Sequence, residues 1–303
     1  MVHDSFGLGC WAYGLADEGS EAERVATDVI RAAYDRGVRH FDTAQGYGDG
    51  RSERIVGAAL SGLEDAGIAT KVGLLSGDET PAAVQTSRER LGVSSIDLFY
   101  IHWPKNDVDP RPMLDALERE RAQGTIKRIG VSNFPVAELE RGSEVARIDV
   151  HQIGYSLLWR YPEQDVIPWC REHDVEIYSY SSLAQGLLTG KMPRRPSFEP
   201  GDPRPATVFY DDEVWPHVYG AVNEMNEVAS QAGIRLHHLA LHWLLRSGVS
   251  RVLVGARNVD QLEDNLSTFS EGPSDETLAA LGRISDGAHE HIPDIGNIFK
   301  YYP

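Results

Sequence analysis

Residues 20–42 read SEAERVATDVIRAAYDRGVRHFD. Apolar residues fall at 25, 26, 29, 30, 32 and 33, the stripe of an amphipathic helix, and Gly37 stops it. VRHFD (38–42) follows at once as a short strand ending on an aspartate. A helix handed to a strand across one glycine is half of a repeating β/α unit, and the same alternation extends both ways along the chain. Strands are expected at SFGLGC (5–10), VRHFD (38–42), GIATK (67–71), IDLFYIH (96–102), KRIGVS (127–132), IDVHQI (148–153), VEIYSY (175–180) and RVLVG (251–255). PRPMLDALERERAQG, ending at Gly124, and PEQDVIPWCREHD (162–174) carry helical stripes. So do 79–91, 135–144, 216–232, 236–247 and 259–269.

Eight strands separated by helical patterns, with no compositional break at any midpoint, predict a single (β/α)8 TIM barrel domain over 1–303. An open doubly wound sheet is the rival, but GLGCWAYG (7–14) lacks the G-x-G-x-x-G spacing such sheets carry after their first strand. GYGDGRSE (46–53) lacks the GK[ST] of a phosphate-binding loop. No repeat of 20–50 residues stands out beyond the alternation itself. The longest irregular stretch, 184–214, holds five prolines and reads as a functional or mobile loop. A tail follows over 287–303.

The 303 residues are 41% hydrophobic and 25% charged, ordinary for a globular protein, and no apolar run approaches the ~20 residues a membrane span needs. A net charge of −17 disfavours nucleic acid and anionic membranes as partners. Cys10 and Cys170 form no C-x-x-C pair, and MVHDSFGLGCWAYG has no basic region leading into an apolar core. The expectation is a cytoplasmic protein. Lysine is scarce, five residues against 24 arginines, so each lysine invites a question.

In a barrel of this type, function lies at the C-terminal ends of the strands. Those ends read Cys10–Trp11, Asp42, Lys71, His102, Ser132–Asn133, Gln152, Tyr180–Ser181 and Gly255. Taken singly, Asp42 reads as a cap, His102 as structural and Lys71 as a surface ion pair. Brought to one mouth, they read as a proton-transfer site. A buried Lys71 needs a counter-ion, and Asp42 is placed to supply it. The pair would set a cation beside Tyr47, which sits among Gly46, Gly48 and Gly50, and lower its phenol from the ordinary ~10. Tyr47 would then give its proton to a developing alkoxide, with His102 orienting the carbonyl or relaying the proton.

The segments FDTAQGYGDGRSE (41–53), TKVG (70–73), DLFYIHWP (97–104), GVSNF (130–134) and YSYSSLAQGLLTGK (178–191) stand in the order and spacing of one family. The chain resembles an aldo-keto reductase from its first strand to its eighth helix, about 260 residues. HQIGYSLLWR, the LLTGK loop and VGARNVDQLEDNL look most like the bacterial group that includes the inositol-operon reductases. The resemblance implies a tetrad of Asp42, Tyr47, Lys71 and His102, with Tyr47 as general acid and hydride passing from NADPH to an aldehyde or ketone.

It further implies that Ser132, Asn133 and Gln152 hold the nicotinamide carboxamide and that Tyr180 stacks on the ring. Tyr178 lies on the same strand face as Tyr180, so spacing does not separate them; the family's position favours Tyr180. Ser181, Leu183, Gln185 and Gly186 would follow the pyrophosphate. Arg257, at a helix start, would pair with the 2′-phosphate. Gln261 and Asn265 would read the adenine, and Gly255 and Asp264 complete the cofactor set. Many relatives carry a lysine where this chain has Gly255 or Ala256, which leaves NADH open beside NADPH. Cys10 replaces a common threonine and Ser182 a common proline; neither change removes a catalytic group.

Trp11, Tyr13, Trp103, Phe134 and Trp159 are expected to line the substrate pocket, just beyond strand ends. Lys191, Arg194 and Arg195 could draw an anionic group to the loop, or simply be solvated. The aromatic tail HIPDIGNIFKYYP (291–303) could cover the mouth, pack outside the barrel or meet another subunit. Two other enzyme readings stand beside the reductase: a sugar or polyol dehydrogenase running the same chemistry toward oxidation, and a metal-dependent barrel hydrolase or isomerase. The latter needs clustered ligands, and HHLALH (237–242) reads as helix packing, so no metal is expected. A cofactor-binding regulatory subunit would call for an extra N-terminal partner-binding segment. The partner expected is a small carbonyl substrate, and the assembly a monomer or small homo-oligomer.

Overall fold

The computed structural model of the chain describes residues 4–194, 196–199, 201–270 and 272–300. Eight parallel strands run β1 Phe6–Gly9, β2 His40–Asp42, β3 Gly67–Val72, β4 Ile96–Ile101, β5 Ile126–Ser132, β6 Val150–Gly154, β7 Glu176–Tyr180 and β8 Arg251–Val254. Each pairs with the next, and β8 returns to β1 with Phe6 opposite Val252 and Leu8 opposite Val254. The barrel is closed, so no sheet edge is left open. This is the (β/α)8 TIM barrel expected.

The described residues form ten α-helices: α1 Glu21–Asp35, α2 Arg51–Leu60, α3 Thr80–Leu91, α4 Arg111–Gln123, α5 Val136–Ser143, α6 Val166–Glu172, α7 Trp215–Ala232, α8 Leu236–Arg246, α9 Val259–Ser267 and α10 Asp275–His289. The stripe of residues 20–35 is α1, capped by Ser20, whose hydroxyl accepts from the Glu23 amide at 3.2 Å. Two layers of apolar packing hold the barrel. Ala69, Leu98, Tyr100, Val150 and Tyr178 fill the interior, and a larger cluster lies between strands and helices.

Two helices were not among the expected segments. In α2 the apolar stripe is short and interrupted by Gly57, where a Cβ would meet the Leu91 carbonyl oxygen at 2.2 Å. That glycine lets α2 and α3 touch, and it hides the helical signal. In α10, Ser274 caps a helix that packs on α7 and runs through His289, three residues into the segment expected as tail. The pattern over 162–174 divides into a 3-10 turn at Tyr161–Glu163 and α6, because Asp165 leaves helical geometry to cap α6, its carboxylate accepting from the Val166 amide.

The 184–214 loop is less irregular than its prolines suggest, with short 3-10 turns at Ala184–Thr189, Arg204–Ala206 and Val208–Tyr210. It is joined to the tail. The Val208 amide donates to the Ile298 carbonyl at 2.9 Å, and Lys300 Nζ meets Asp211 at 2.5 Å. Arg195 and tail residues 301–303 lie outside the described residues. No described helix is long and apolar enough to cross a membrane.

Candidate active site

A cavity of about 580 Å³ opens at the C-terminal end of the barrel. Its floor is a buried ion pair. Lys71, near the end of β3 and wholly buried, places Nζ 2.5 Å from Asp42 Oδ1 and 2.8 Å from the Thr43 carbonyl. The second oxygen, Asp42 Oδ2, accepts from Gln152 Nε2 at 2.8 Å. Both Asp42 oxygens and two of the three Lys71 N–H groups thus find a partner, which offsets the cost of burying them. Burial works against the Lys71 ammonium, but Asp42 and Tyr47 outweigh it and hold the lysine protonated. The Asp42 carboxyl is raised by burial, and Lys71 offsets this only in part.

Lys71 Nζ lies 5.1 Å from the centroid of the Tyr47 ring. Gly48, beside Tyr47, and Gly14, after β1, are required by packing. A Cβ on Gly14 would stand 2.6 Å from the Tyr47 backbone, and one on Gly48, at φ +61°, would stand 2.0 Å from the Gly14 oxygen. Two bare backbones therefore cross, and the crossing presses the tyrosine turn onto the residues after β1. His102, one residue beyond β4, meets the Tyr47 ring edge-on at 5.7 Å. Burial, helped by Lys71, pushes its imidazole down to about 3, so it is neutral at ordinary pH.

Tyr47 departs from the electrostatic expectation. The cation does not bring the Tyr47 phenol below its ordinary value: burial raises it, and Lys71 recovers only part of the shift. A water-poor site costs the phenolate more than one neighbouring charge returns.

The other wall carries the residues expected at the nicotinamide. The Ser132 hydroxyl donates to the Gln152 carbonyl at 2.9 Å, and Asn133 Nδ2 to Ser132 Oγ at 3.0 Å. The Tyr180 hydroxyl donates to Asn133 Oδ1 at 2.6 Å. Tyr180 faces the cavity, whereas Tyr178, on the same face of β7, sits deeper in the barrel beside Arg128 and Glu176. Depth separates two residues that periodicity could not. Asn133, Ser181 and Gln185 line the cavity with φ of +63°, +50° and +56°, left-handed backbone that non-glycine residues seldom adopt. Such strain gathers where a site dictates backbone direction.

Ser181, Leu183, Gln185 and Gly186 run along one side of the cavity, and Gly255, Arg257, Gln261, Asp264 and Asn265 line its far end. Arg257 is exposed just ahead of α9, its amide donating to Gln261 Oε1 at 3.0 Å.

The expected substrate wall is partly wrong. Trp11, 45% exposed, and Trp103 line the cavity. Tyr13, Phe134 and Trp159 do not. Tyr13 is buried with its hydroxyl on the Ala256 carbonyl at 2.9 Å, tying β1 to β8. Phe134 is core, and Trp159 packs edge-on against Tyr161. Each follows a strand end, but its side chain turns into the layer between barrel and helices. Phe299 takes the vacated role: it lies nearly parallel to Tyr180 at 6.2 Å and edge-on to Trp103 at 6.4 Å. The aromatic tail carried that signal, although no local pattern said where it would land. Lys191 also lines the cavity, and so does His237, for which the HHLALH pattern predicts helix packing alone.

Against known proteins, the aldo/keto reductase family model matches residues 5–286. The aldo-keto reductase YhdN of Bacillus subtilis is 34% identical over 272 residues, covering 85% of this chain and 82% of that protein. The NADH-specific methylglyoxal reductase of Escherichia coli is 29% identical over 308 residues, covering 92% and 94%. Among solved structures, the glycerol dehydrogenase AKR11B4 from Gluconobacter oxydans superposes with a TM-score of 0.86 at 31% identity, covering 95% and 92%; other similar structures hold NADP or NADPH.

Proposed function

Because the chain belongs to the aldo/keto reductase family, we propose that the buried Lys71–Asp42 pair and Tyr47 form the proton-delivery half of its active site. The enzyme is an NAD(P)H-dependent oxidoreductase that reduces an aldehyde or ketone to an alcohol. Its cofactor is NADPH, with NADH open because one relative is named NADH-specific. The cofactor supplies the hydride. The residues present suit it: an aromatic face at Tyr180, amide groups at Asn133 and Gln152, and an exposed guanidinium at Arg257.

Tyr47 gives its hydroxyl proton to the carbonyl oxygen as charge develops there. A neutral phenol is a far stronger acid than the alcohol being formed, so the transfer runs downhill without prior ionisation. Lys71 stabilises the phenolate left behind, and Asp42 keeps the lysine charged and in place. His102, neutral, offers a ring nitrogen to orient the carbonyl. Ser132, Asn133 and Gln152 orient the carboxamide. The observation that carries this reading is a lysine wholly buried on an aspartate beside a cavity-lining tyrosine.

Trp11, Trp103 and Phe299 offer flat apolar faces suited to an uncharged carbonyl compound. A second reading, oxidation of a sugar or polyol by the same groups in reverse, is favoured by the likeness to a glycerol dehydrogenase. The likeness to the inositol-operon reductases stays a resemblance. We further place the chain as one cytoplasmic domain, monomeric or a small homo-oligomer.

Tyr47→Phe tests the assignment. Turnover should fall about 10²-fold or more, the scale of general-acid catalysis, while NADPH still quenches tryptophan fluorescence as in the parent. Undiminished turnover, or joint loss of turnover and cofactor binding, would remove Tyr47 from its role.

A further inference from the structure

The pair His237–His238 opens α8, and both rings reach across to Asp264 on α9. His237 Nε2 lies 3.3 Å from Asp264 Oδ2, and His238 Nε2 lies 3.1 Å from Oδ1. Nitrogen and oxygen donors from all three lie within 4.8 Å of one another, and among the described residues no other group of His, Cys, Asp or Glu gathers so closely. We infer that His237, His238 and Asp264 form a binding site for a divalent transition-metal ion of the zinc class.

A four-coordinate zinc ion holds nitrogen and oxygen at about 2.0–2.2 Å, which puts neighbouring donor atoms about 3.3 Å apart. Each imidazole nitrogen already stands at about this separation from one carboxylate oxygen, His237 from Oδ2 and His238 from Oδ1. Two imidazoles and one carboxylate are a ligand set that zinc shares with nickel, cobalt and copper. Three protein ligands leave one position for water or another small donor.

Access and charge agree. His237 and Asp264 line the main cavity, and His237 also lines a shallower groove beside Lys191 and Asn226, so an ion has a path inward. The chain's net charge of −17 favours cations in general. Arg235 is the opposing group, with Nη2 2.6 Å from Asp264 Oδ1. Its side chain is 61% exposed, so it can swing into solvent when an ion takes the oxygen. His238 Nε2 also lies 2.9 Å from the Asp264 carbonyl, a contact that a bound ion would replace, while His242, one turn along α8 with its Nε2 2.7 Å from the Thr268 carbonyl, stands outside the trio.

Untagged protein titrated with Co²⁺, followed by visible absorption and calorimetry, tests the site. One ion should bind per chain with the strong visible bands of a four-coordinate centre. His238→Gln and Asp264→Asn should each weaken binding about ten-fold or more, the scale seen when a metal's protein surroundings are altered. His242→Ala should bind as the parent does. Thermal melting checks that each variant is folded, and His237→Gln replaces any that is not. No Co²⁺ binding at millimolar concentration would overturn the inference. So would parent-like binding by the Gln and Asn variants, or an equal loss in His242→Ala.

Discussion

Arg257 shows how one side chain can set cofactor choice. It projects from the turn before α9 at the cavity's far end, exposed, with its backbone amide on Gln261 Oε1. Its guanidinium has the fork geometry to take a phosphate. Arg257→Ala should therefore weaken NADPH by about ten-fold or more, the worth of a charge-assisted contact, and leave NADH nearly unchanged. Paired binding titrations by tryptophan quenching read the difference. Equal weakening of both would move the 2′-phosphate elsewhere. At this scale the strand-end residues were legible in sequence, since Asp42, Lys71, His102 and Gln152 follow from where strands stop. The direction of the Tyr47 shift was not, because sequence shows which charge is near but not how much water is lost.

At the scale of elements, the join between α2 and β3 carries more than packing. Glu53, in the first turn of α2, is fully buried and accepts from the Thr70 and Ser87 hydroxyls at 2.7 Å each, with Arg90 at 3.3 Å. Thr70 precedes Lys71, and α2 begins just beyond the turn that holds Tyr47. One carboxylate thus fixes the element bearing the acid against the strand bearing the lysine. Glu53→Ala should cost about 3 kcal/mol, because it leaves two buried hydroxyls without their acceptor and takes from Arg90 the nearer of its two carboxylates, the other being Asp49. It should also lower kcat, since the tyrosine turn loses its anchor. Urea unfolding and steady-state kinetics measure the two effects, and unchanged kcat in a destabilised protein would make Glu53 purely structural. Strands were read closely because β-branched runs between glycines are local signals. Missing α2 and placing Tyr13, Phe134 and Trp159 on the wall share one cause. Each depends on which neighbour a side chain meets, and that is decided by another element.

For the whole molecule, acid should act through histidines buried as neutral bases. His102 and His151 are both pushed from 6.5 to about 3 by burial, with Lys71 adding to the shift at His102, and burial also lowers His40. Between those values the unfolded chain binds protons that the folded chain refuses, so stability falls as pH drops from about 6.5 toward 3. Each histidine contributes about 1.4 kcal/mol per pH unit inside that window. Asp42, raised by burial, pulls the other way, but it stands against these three histidines and against His237, which burial pushes down to about 4. Melting temperature should decline steadily from pH 7 to pH 4; a flat profile would show that these imidazoles take up protons without unfolding.

The seam between β1 and β8 has a consequence for how the chain is made. Phe6 finds Val252 only after roughly 250 residues have left the ribosome, and at about 5–20 residues per second that takes roughly 10–50 s. Until then β1 presents an unpaired edge to every nascent neighbour. During synthesis the barrel is an open, adhesive sheet, and its last strand acts as the clasp that ends the exposure.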